Sequence, residues 1–456
     1  MQVVAKTRDF GSFHSSNVEE LIKQTDTEYK SPKLDVIFNL EEYSKLNLNQ
    51  LFGSEQIKKD LFYLSDEFTF INHGAFGLSF KPVVEYVNSW KAFAESQPLR
   101  FYDRKIMPLL VDLIRLFAVK VFKCKPWELC LVENCTFAFS SLMNSIDLKP
   151  NDQIYIFSTT YGVYKKIIKS KCQQTNANLI EEAITFPILD RKDLLDKTLK
   201  KLILALELDK EKKIKLIIVD HIPSNQPFVI PYEELAKVVK TKRPDILFVV
   251  DAAHSLGSIK NIDLNDVDIL FTNCHKWFCG PKGTAFMYRN ENSTSKIDLK
   301  PAVLSHGINS GFNSEFIWTG LRDYSSYLGL YANMSLWLDC LGGFDHVIDY
   351  CTNLNREAGE YLRNTWSTDF LVDPSLCSTM LCVRLPTEFL DNVLKLDEKT
   401  SLSYDQAETI QNYFYFKYNI EVPVKCVQNK LYVRISSHIY NNLNDYIKLA
   451  NAVLEN

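Results

Sequence analysis

Ile246, Leu247, Phe248, Val249 and Val250 form an unbroken apolar run that ends in Asp251. Such a run predicts a strand buried on both faces, as in a parallel sheet covered by helices. A buried strand needs partners on both edges, and the chain supplies them. Comparable runs occur at 129–134, 152–158, 179–186, 214–219, 267–271 and 284–288. Helical spacing of apolar residues fills 82–96, 108–121 and 194–208, and a crossover helix begins at Pro231. This alternation predicts right-handed crossovers and an α/β fold.

Ligands of open α/β sheets sit beyond the carboxyl ends of the strands. Asp251 and His254 stand at that rim, and the run at 267–271 delivers Lys276 to the same rim. A lysine amine forms a Schiff base with an aldehyde. A pyridoxal ring then needs an acid beside its pyridine nitrogen, to stay protonated as an electron sink.

The residues around this acid and amine are more specific than the pair itself. DAAHSLG at 251–257, followed by NCHKWFCGPKG at 273–283, resembles the class V (fold type I) pyridoxal-phosphate-dependent aminotransferase superfamily. Within it, the chain is similar to the isopenicillin N epimerase-like and cysteine desulfhydrase-like (C–S lyase) branch. The resemblance runs from about residue 70 to the C-terminus. It implies a large domain with a mostly parallel seven-stranded sheet and a small C-terminal α+β domain. The expected division is 1–60 as an N-terminal extension, partly disordered at its start, 61–338 as the cofactor domain, and 339–456 as the small domain.

The resemblance also implies roles. Lys276 carries pyridoxal 5'-phosphate, Asp251 pairs with the pyridine nitrogen, and His254 sits near the phenolic oxygen. Cys135 and Thr136 open a helix that holds the phosphate, helped by His275, while Tyr161 lies against the ring. Thr319 reaches the phosphate in a partner subunit, which implies a homodimer with composite sites. Asn72 and His73 become substrate-contacting groups. Arg434, in the segment Arg434-Ile435-Ser436, binds the substrate α-carboxylate, for which a guanidinium fork is suited. Read alone, several of these residues have plainer roles. Thr136 is a good helix cap, Tyr161 a core tyrosine, Asn72 and His73 part of a turn, and Arg434 an outward strand residue.

Composition narrows the partners. With 456 residues, two domains are expected. A net charge of −4 gives no support to a nucleic-acid partner. No apolar run approaches the roughly 18 residues of a membrane helix. The eleven cysteines show no C-x-x-C pair and no zinc-ligand spacing, so no metal is expected. They read as reduced thiols of a cytoplasmic protein, with an organellar address left open. The expected partner is a small amino-acid substrate.

The core residues serve elimination, epimerisation and transamination alike. Elimination from cysteine or a cysteine conjugate is favoured, because Arg100-Phe101-Tyr102-Asp103, Tyr161-Gly162-Val163-Tyr164 and Val433-Arg434-Ile435-Ser436 are similar to cysteine desulfhydrase-like sequences. Epimerase or aminotransferase activity is the alternative. A catalytically silent dimeric homologue is the non-enzyme alternative. No cysteine occurs between Lys282 and Leu338, which counts against persulfide transfer.

Overall fold

The structure is a computed structural model that describes residues 15–395 and 401–455. Its centre is a seven-stranded sheet of β1 (Leu129–Val132), β2 (Gln153–Phe157), β3 (Asn178–Glu182), β4 (Ile214–Asp220), β5 (Leu247–Asp251), β6 (Ile269–Asn273) and β7 (Ala285–Arg289). The spatial order is β1-β7-β6-β5-β4-β2-β3. Pairings among β2 to β6 are parallel, whereas β7 runs antiparallel to both β6 and β1. A parallel return needs a crossover of a dozen or more residues. Residues 274–284 are too few for one, so β7 folds straight back. That short return carries Lys276.

The apolar run in β5 is explained by two cores. Phe248 and Val250 pack into one cluster, and Leu247 and Val249 into another on the opposite face. With side chains alternating between faces, only a strand covered on both sides reads as continuously apolar.

The small domain contains β8 (Met380–Arg384), β9 (Val424–Val427) and β10 (Lys430–Ser436), antiparallel in the order β9-β10-β8. Helices Phe344–Trp366 and Leu443–Leu454 accompany it. Leu381, Val383, Val433 and Ile435 alternate with the residues of the other face and join the main core. On that other face Met380 packs with Trp277 and Ile222 of the large domain. The face bearing Met380, Cys382 and Arg434 therefore looks onto the rim of the large sheet.

Two elements differ from the sequence expectation. The helix expected over 194–208 is broken into Arg191–Lys197 and Leu199–Leu208. At Thr198 (φ −120°, ψ −74°) the hydroxyl donates to the Leu194 carbonyl at 2.7 Å. A side-chain bond of this kind competes with the helical backbone bond. Residues 420–424 also read as a strand in the sequence, but that strand is interrupted at Pro423, which has no N–H for a ladder. Ile420–Glu421 instead pairs with Thr69–Phe70, and β9 starts at Val424.

The expected disorder at the start of the N-terminal extension falls on residues 1–14, outside the described residues. Helix Ser15–Ile22 packs against Ile106–Phe117 and Phe312–Ile317, with Val18 and Ile22 buried. Arg115 fixes it by donating to the carbonyls of Ile22 (3.0 Å) and Gln24 (2.8 Å). Farther on, the Gly53 amide donates to the Ile439 carbonyl at 2.7 Å, so the same segment also reaches the small domain. All eleven cysteines are unpaired thiols. Among the described residues, no helix is long and apolar enough to cross a membrane.

Candidate active site

Four strand ends and two loops converge on Lys276. In register, Asp220 at the end of β4 lies beside Asp251 at the end of β5. Both are buried. Asp251 accepts the Ala253 amide at 2.9 Å, and Asp220 accepts the Tyr161 amide at 3.3 Å. Burial pushes both carboxyls above their ordinary range, and the charge of Asp251 pushes Asp220 further. The Ala253 N–H and Lys276 oppose the rise at Asp251. Asp251 is therefore the carboxylate of the pair, and Asp220 holds the proton.

The Lys276 Nζ lies 3.0 Å from His254 Nε2. Burial pulls the lysine below its ordinary value, and Arg434 adds to this, while Cys135 and Asp251 oppose it. A less basic amine is a better nucleophile and base near neutral pH. The imidazole of His254 is held neutral, first by burial and then by Lys276. Its Nδ1 accepts the Trp277 indole N–H at 3.2 Å. Indole only donates, so the proton of the neutral ring is on Nε2, facing the lysine.

The lysine loop is gripped from behind. His73 Nε2 donates to the Lys276 carbonyl (3.1 Å), and His438 Nε2 donates to the Trp277 carbonyl (3.1 Å). Tyr440 donates its hydroxyl proton to His73 Nδ1 at 2.8 Å. Gly77 (φ +65°) and Gly257 (φ +87°) close in on the same backbone. A Cβ at Gly77 would overlap the His275 carbonyl, and one at Gly257 would come 2.6 Å from the Trp277 carbonyl carbon.

This geometry corrects one expectation. His73 was expected to touch substrate, but it is fully buried, with both ring nitrogens engaged and its ring stacked 4.2 Å from that of His438. Together with Cys279 these histidines have metal-compatible spacing. The ring N–H groups are nevertheless committed to backbone carbonyls, and the cluster acts as a post under the lysine.

Asn72 bridges Arg434 and Glu421. Its Oδ1 accepts from Arg434 Nη2 at 3.1 Å, and its Nδ2 donates to Glu421 at 3.1 Å. Arg434 is buried, and its Nη1 donates to the Ser224 carbonyl at 2.5 Å. Its Nε has no partner among the described residues.

The remaining expected residues surround the rim. Cys135 and Thr136 open helix Cys135–Ser145, whose Asn134 cap accepts from the Phe137 amide at 2.8 Å. Asn273 Oδ1 ties the Cys135 amide to the end of β6 at 3.1 Å. Thr136 is exposed. Free N–H groups and the dipole at such a helix start suit a phosphate. Tyr161 caps helix Gly162–Thr175, edge-on to Tyr164 at 5.4 Å and 40% exposed. It is a mouth residue and not a core one. The His275 Nδ1 proton is committed to the Thr284 carbonyl at 3.1 Å. Donation from Nε2 to a phosphate therefore requires the imidazolium, which a nearby dianion favours. Thr319 lies beyond helix Phe312–Ile317, with its amide donating to the Tyr324 hydroxyl at 3.2 Å. Within one chain, among the described residues, it makes no hydrogen bond to the Lys276 group.

Asp220, Ser224, Trp277 and His438 were not among the expected site residues. Asp220 had a signal in the sequence, since it ends an apolar run as Asp251 does. His221, next to it, is structural. It bonds Ser255 through Nδ1 at 2.8 Å, and burial pulls it down to about 3.

The cluster fits pyridoxal phosphate. Asp220 Oδ2, the Thr159 hydroxyl and Arg434 Nε are buried without partners among the described residues. Buried polar atoms are nearly always satisfied, so a polar ligand at this rim would complete them. The Lys276 amine, the Asp251 carboxylate and a helix start supply the three contacts the cofactor needs.

Comparison with known proteins agrees. The aminotransferase class-V family model matches residues 122–308. A probable chloroplastic L-cysteine desulfhydrase of Arabidopsis thaliana is 25% identical over 433 residues, covering 90% of this chain and 87% of that protein. An L-cysteine desulfhydrase of the same plant is 27% identical over 411 residues, covering 84% and 87%. Among solved structures, the cystine C–S lyase C-DES with its product cysteine persulfide superposes with a TM-score of 0.68 at 16% identity. It covers 85% of this chain and 97% of that one. The class V resemblance and the mostly parallel seven-stranded fold are both borne out.

Proposed function

We propose that this chain, a relative of the class-V aminotransferases, is a pyridoxal-phosphate-dependent lyase that removes sulfur from cysteine or a cysteine conjugate. The observation that carries the reading is the buried Lys276 amine, 3.0 Å from His254 and flanked electrostatically by Asp251 and Arg434. Lys276, Asp251, His254, Cys135, Thr136, Tyr161 and His275 are the residues that would hold the cofactor, with Thr319 contributed by a partner subunit. When bound, pyridoxal phosphate supplies a sink for the electron pair left on the substrate α-carbon.

The chain's own residues do the rest. Arg434 orients the substrate through its α-carboxylate, and Asn72 and Ser224 hold the guanidinium in place. Asp251 keeps a negative charge where a pyridinium proton needs one. Lys276 Nζ takes the α-proton, which its lowered basicity allows it to release again. The Cα–H and Cβ–S bonds break, a Cα–Cβ double bond forms, and the sulfur leaves with the Cβ–S electron pair as a thiolate that takes up a proton. Water then releases pyruvate and ammonia. His254, neutral with its proton on Nε2, keeps a donor beside Nζ throughout.

The two desulfhydrase relatives and the absence of cysteine between Lys282 and Leu338 favour elimination over persulfide transfer. Exposed Phe76, Leu304, Ile308 and Leu321 support a homodimer with composite sites. Eleven unpaired thiols support a reducing, cytoplasmic setting.

The test is incubation of the cofactor-loaded protein with L-cysteine or S-substituted cysteines in D₂O. Pyruvate with released sulfur is the expected result, abolished in Lys276→Ala. Deuterium at Cα without pyruvate would make the protein an epimerase. A keto acid with the amino group retained on the protein would make it an aminotransferase. Protein that takes up no cofactor would be a silent homologue.

A further inference from the structure

The small-domain sheet presents more positive charge to the rim than an α-carboxylate needs. Lys425 on β9 lies opposite Tyr432 on β10, and Tyr432 lies opposite Arg384 on β8. Residues two apart on a strand share a face, so Arg434 and Cys382, which pair with each other, lie on the same face as Lys425. Lys425 and Arg434 are thus diagonal neighbours, roughly 7–8 Å apart at the backbone.

That face is turned to the active site. Met380 packs on Trp277, the Cys382 thiol donates to the Asn225 carbonyl at 3.8 Å, and Arg434 donates to Ser224. Asn225 and Ser224 belong to the loop that leaves β4 at Asp220.

Four cations share this face, Arg384, Lys425, Arg434 and, at the exposed start of β10, Lys430; among the described residues only Arg384 has an acid, Asp369 at 3.7 Å. Arg434 is bonded to neutral oxygens alone. Lys425 is half-buried, and its side-chain amine has no hydrogen bond or ion pair among the described residues. Burial, and then Arg434, pull its amine down to about 8. Neighbouring like charges are unfavourable on a sheet face, and burying an unpaired charge is more so. Two adjacent cations facing one cleft therefore call for two negative charges.

We propose that Lys425 is a specificity-determining residue that binds a second, distal acidic group on the amino-acid substrate. The preferred substrates are S-substituted cysteines with a carboxylate on the sulfur substituent. Arg434 takes the α-carboxylate, and Lys425 takes the distal one. The cysteine scaffold in this statement rests on the lyase reading above, whereas the demand for two anions does not.

The experiment separates the two. Calorimetry on the cofactor-loaded protein compares adipate with hexanoate, which keeps the chain length and lacks one carboxylate. Adipate is expected to bind about ten-fold more tightly. Lys425→Met should bring that ratio close to one, and Lys425→Arg should restore most of it. In parallel, pyruvate formation is followed from S-(2-carboxyethyl)-L-cysteine and S-butyl-L-cysteine, and their kcat/KM ratio should follow the same order among the variants. A ratio near one in the wild type, or a preference that persists in Lys425→Met, overturns the proposal. An adipate preference that depends on Lys425, with no pyruvate from any cysteine derivative, would remove the lyase reading and leave the second anion site standing.

Discussion

Trp277 determines which nitrogen of His254 carries the proton. Its indole N–H meets Nδ1 at 3.2 Å, and because indole can only donate, the remaining proton sits on Nε2, 3.0 Å from Lys276 Nζ. The residue after the lysine thus orients the group in front of it. Trp277→Phe keeps an aromatic ring, a smaller one, at this fully buried position and removes the donor. Turnover should fall by about ten-fold or more, since a buried polar atom left unpaired costs about 1–3 kcal/mol. Steady-state kinetics check this, and a change in the pH profile should accompany it as His254 regains its second tautomer. Wild-type kcat with an unchanged profile would show that the indole contact is merely structural.

Arg434 is held by three oxygens, two on Nη1 and one on Nη2, and an ammonium has no such planar fork of donors. Arg434→Lys should raise KM for the amino acid by about 10–100-fold, from loss of the forked contact to the carboxylate. The effect on kcat should be smaller. A kcat loss with unchanged KM would move Arg434 from substrate anchoring to support of the loop after β4.

Asp220 makes the cofactor-free protein less stable as pH rises. Burial and Asp251 push its carboxyl up to about 8, against 3.8 for an ordinary aspartate. Between these values the folded protein holds a proton that the unfolded chain releases, so stability declines across that window. Asp220→Asn removes the titration. The difference in melting temperature, variant minus wild type, should be smallest near pH 4 and grow up to about pH 8. A pH-independent difference would falsify the buried, proton-holding assignment.

Gly77 should tolerate no side chain. Its positive φ already disfavours L-residues, and a Cβ would run into the His275 carbonyl. Gly77→Ala should lower stability by about 2 kcal/mol or more. It should also reduce cofactor affinity, read from absorbance titration, because the displaced backbone is that of Lys276. Gly162→Ala is the control, since nothing lies within 4 Å of a Cβ there.

The central sheet was legible because its physics is local. Strands buried on both faces are apolar along most of their length, as Leu216–Val219 of β4 and Leu247–Val250 of β5 are. The antiparallel course of β7 also follows from the length of the 274–284 return. Breaks set by single bonds were less visible. The Thr198 hydroxyl splits a helix and Pro423 splits a strand, each overriding a favourable apolar pattern.

The sequence by itself placed Asp251, His254 and Lys276 on one rim, because strand direction sends every carboxyl end of a parallel sheet to the same side. Which residues touch across that rim was left to the tertiary structure. His73 and Lys276 are 203 residues apart in sequence, and Arg434 and Ser224 are 210 apart. No periodicity encodes contacts of that range. His73 resembles a substrate contact in sequence and becomes a buried post only when the small domain brings His438 and Tyr440 against it. Lys425 is one lysine among many until strand register sets it diagonal to Arg434 with no acid to meet it.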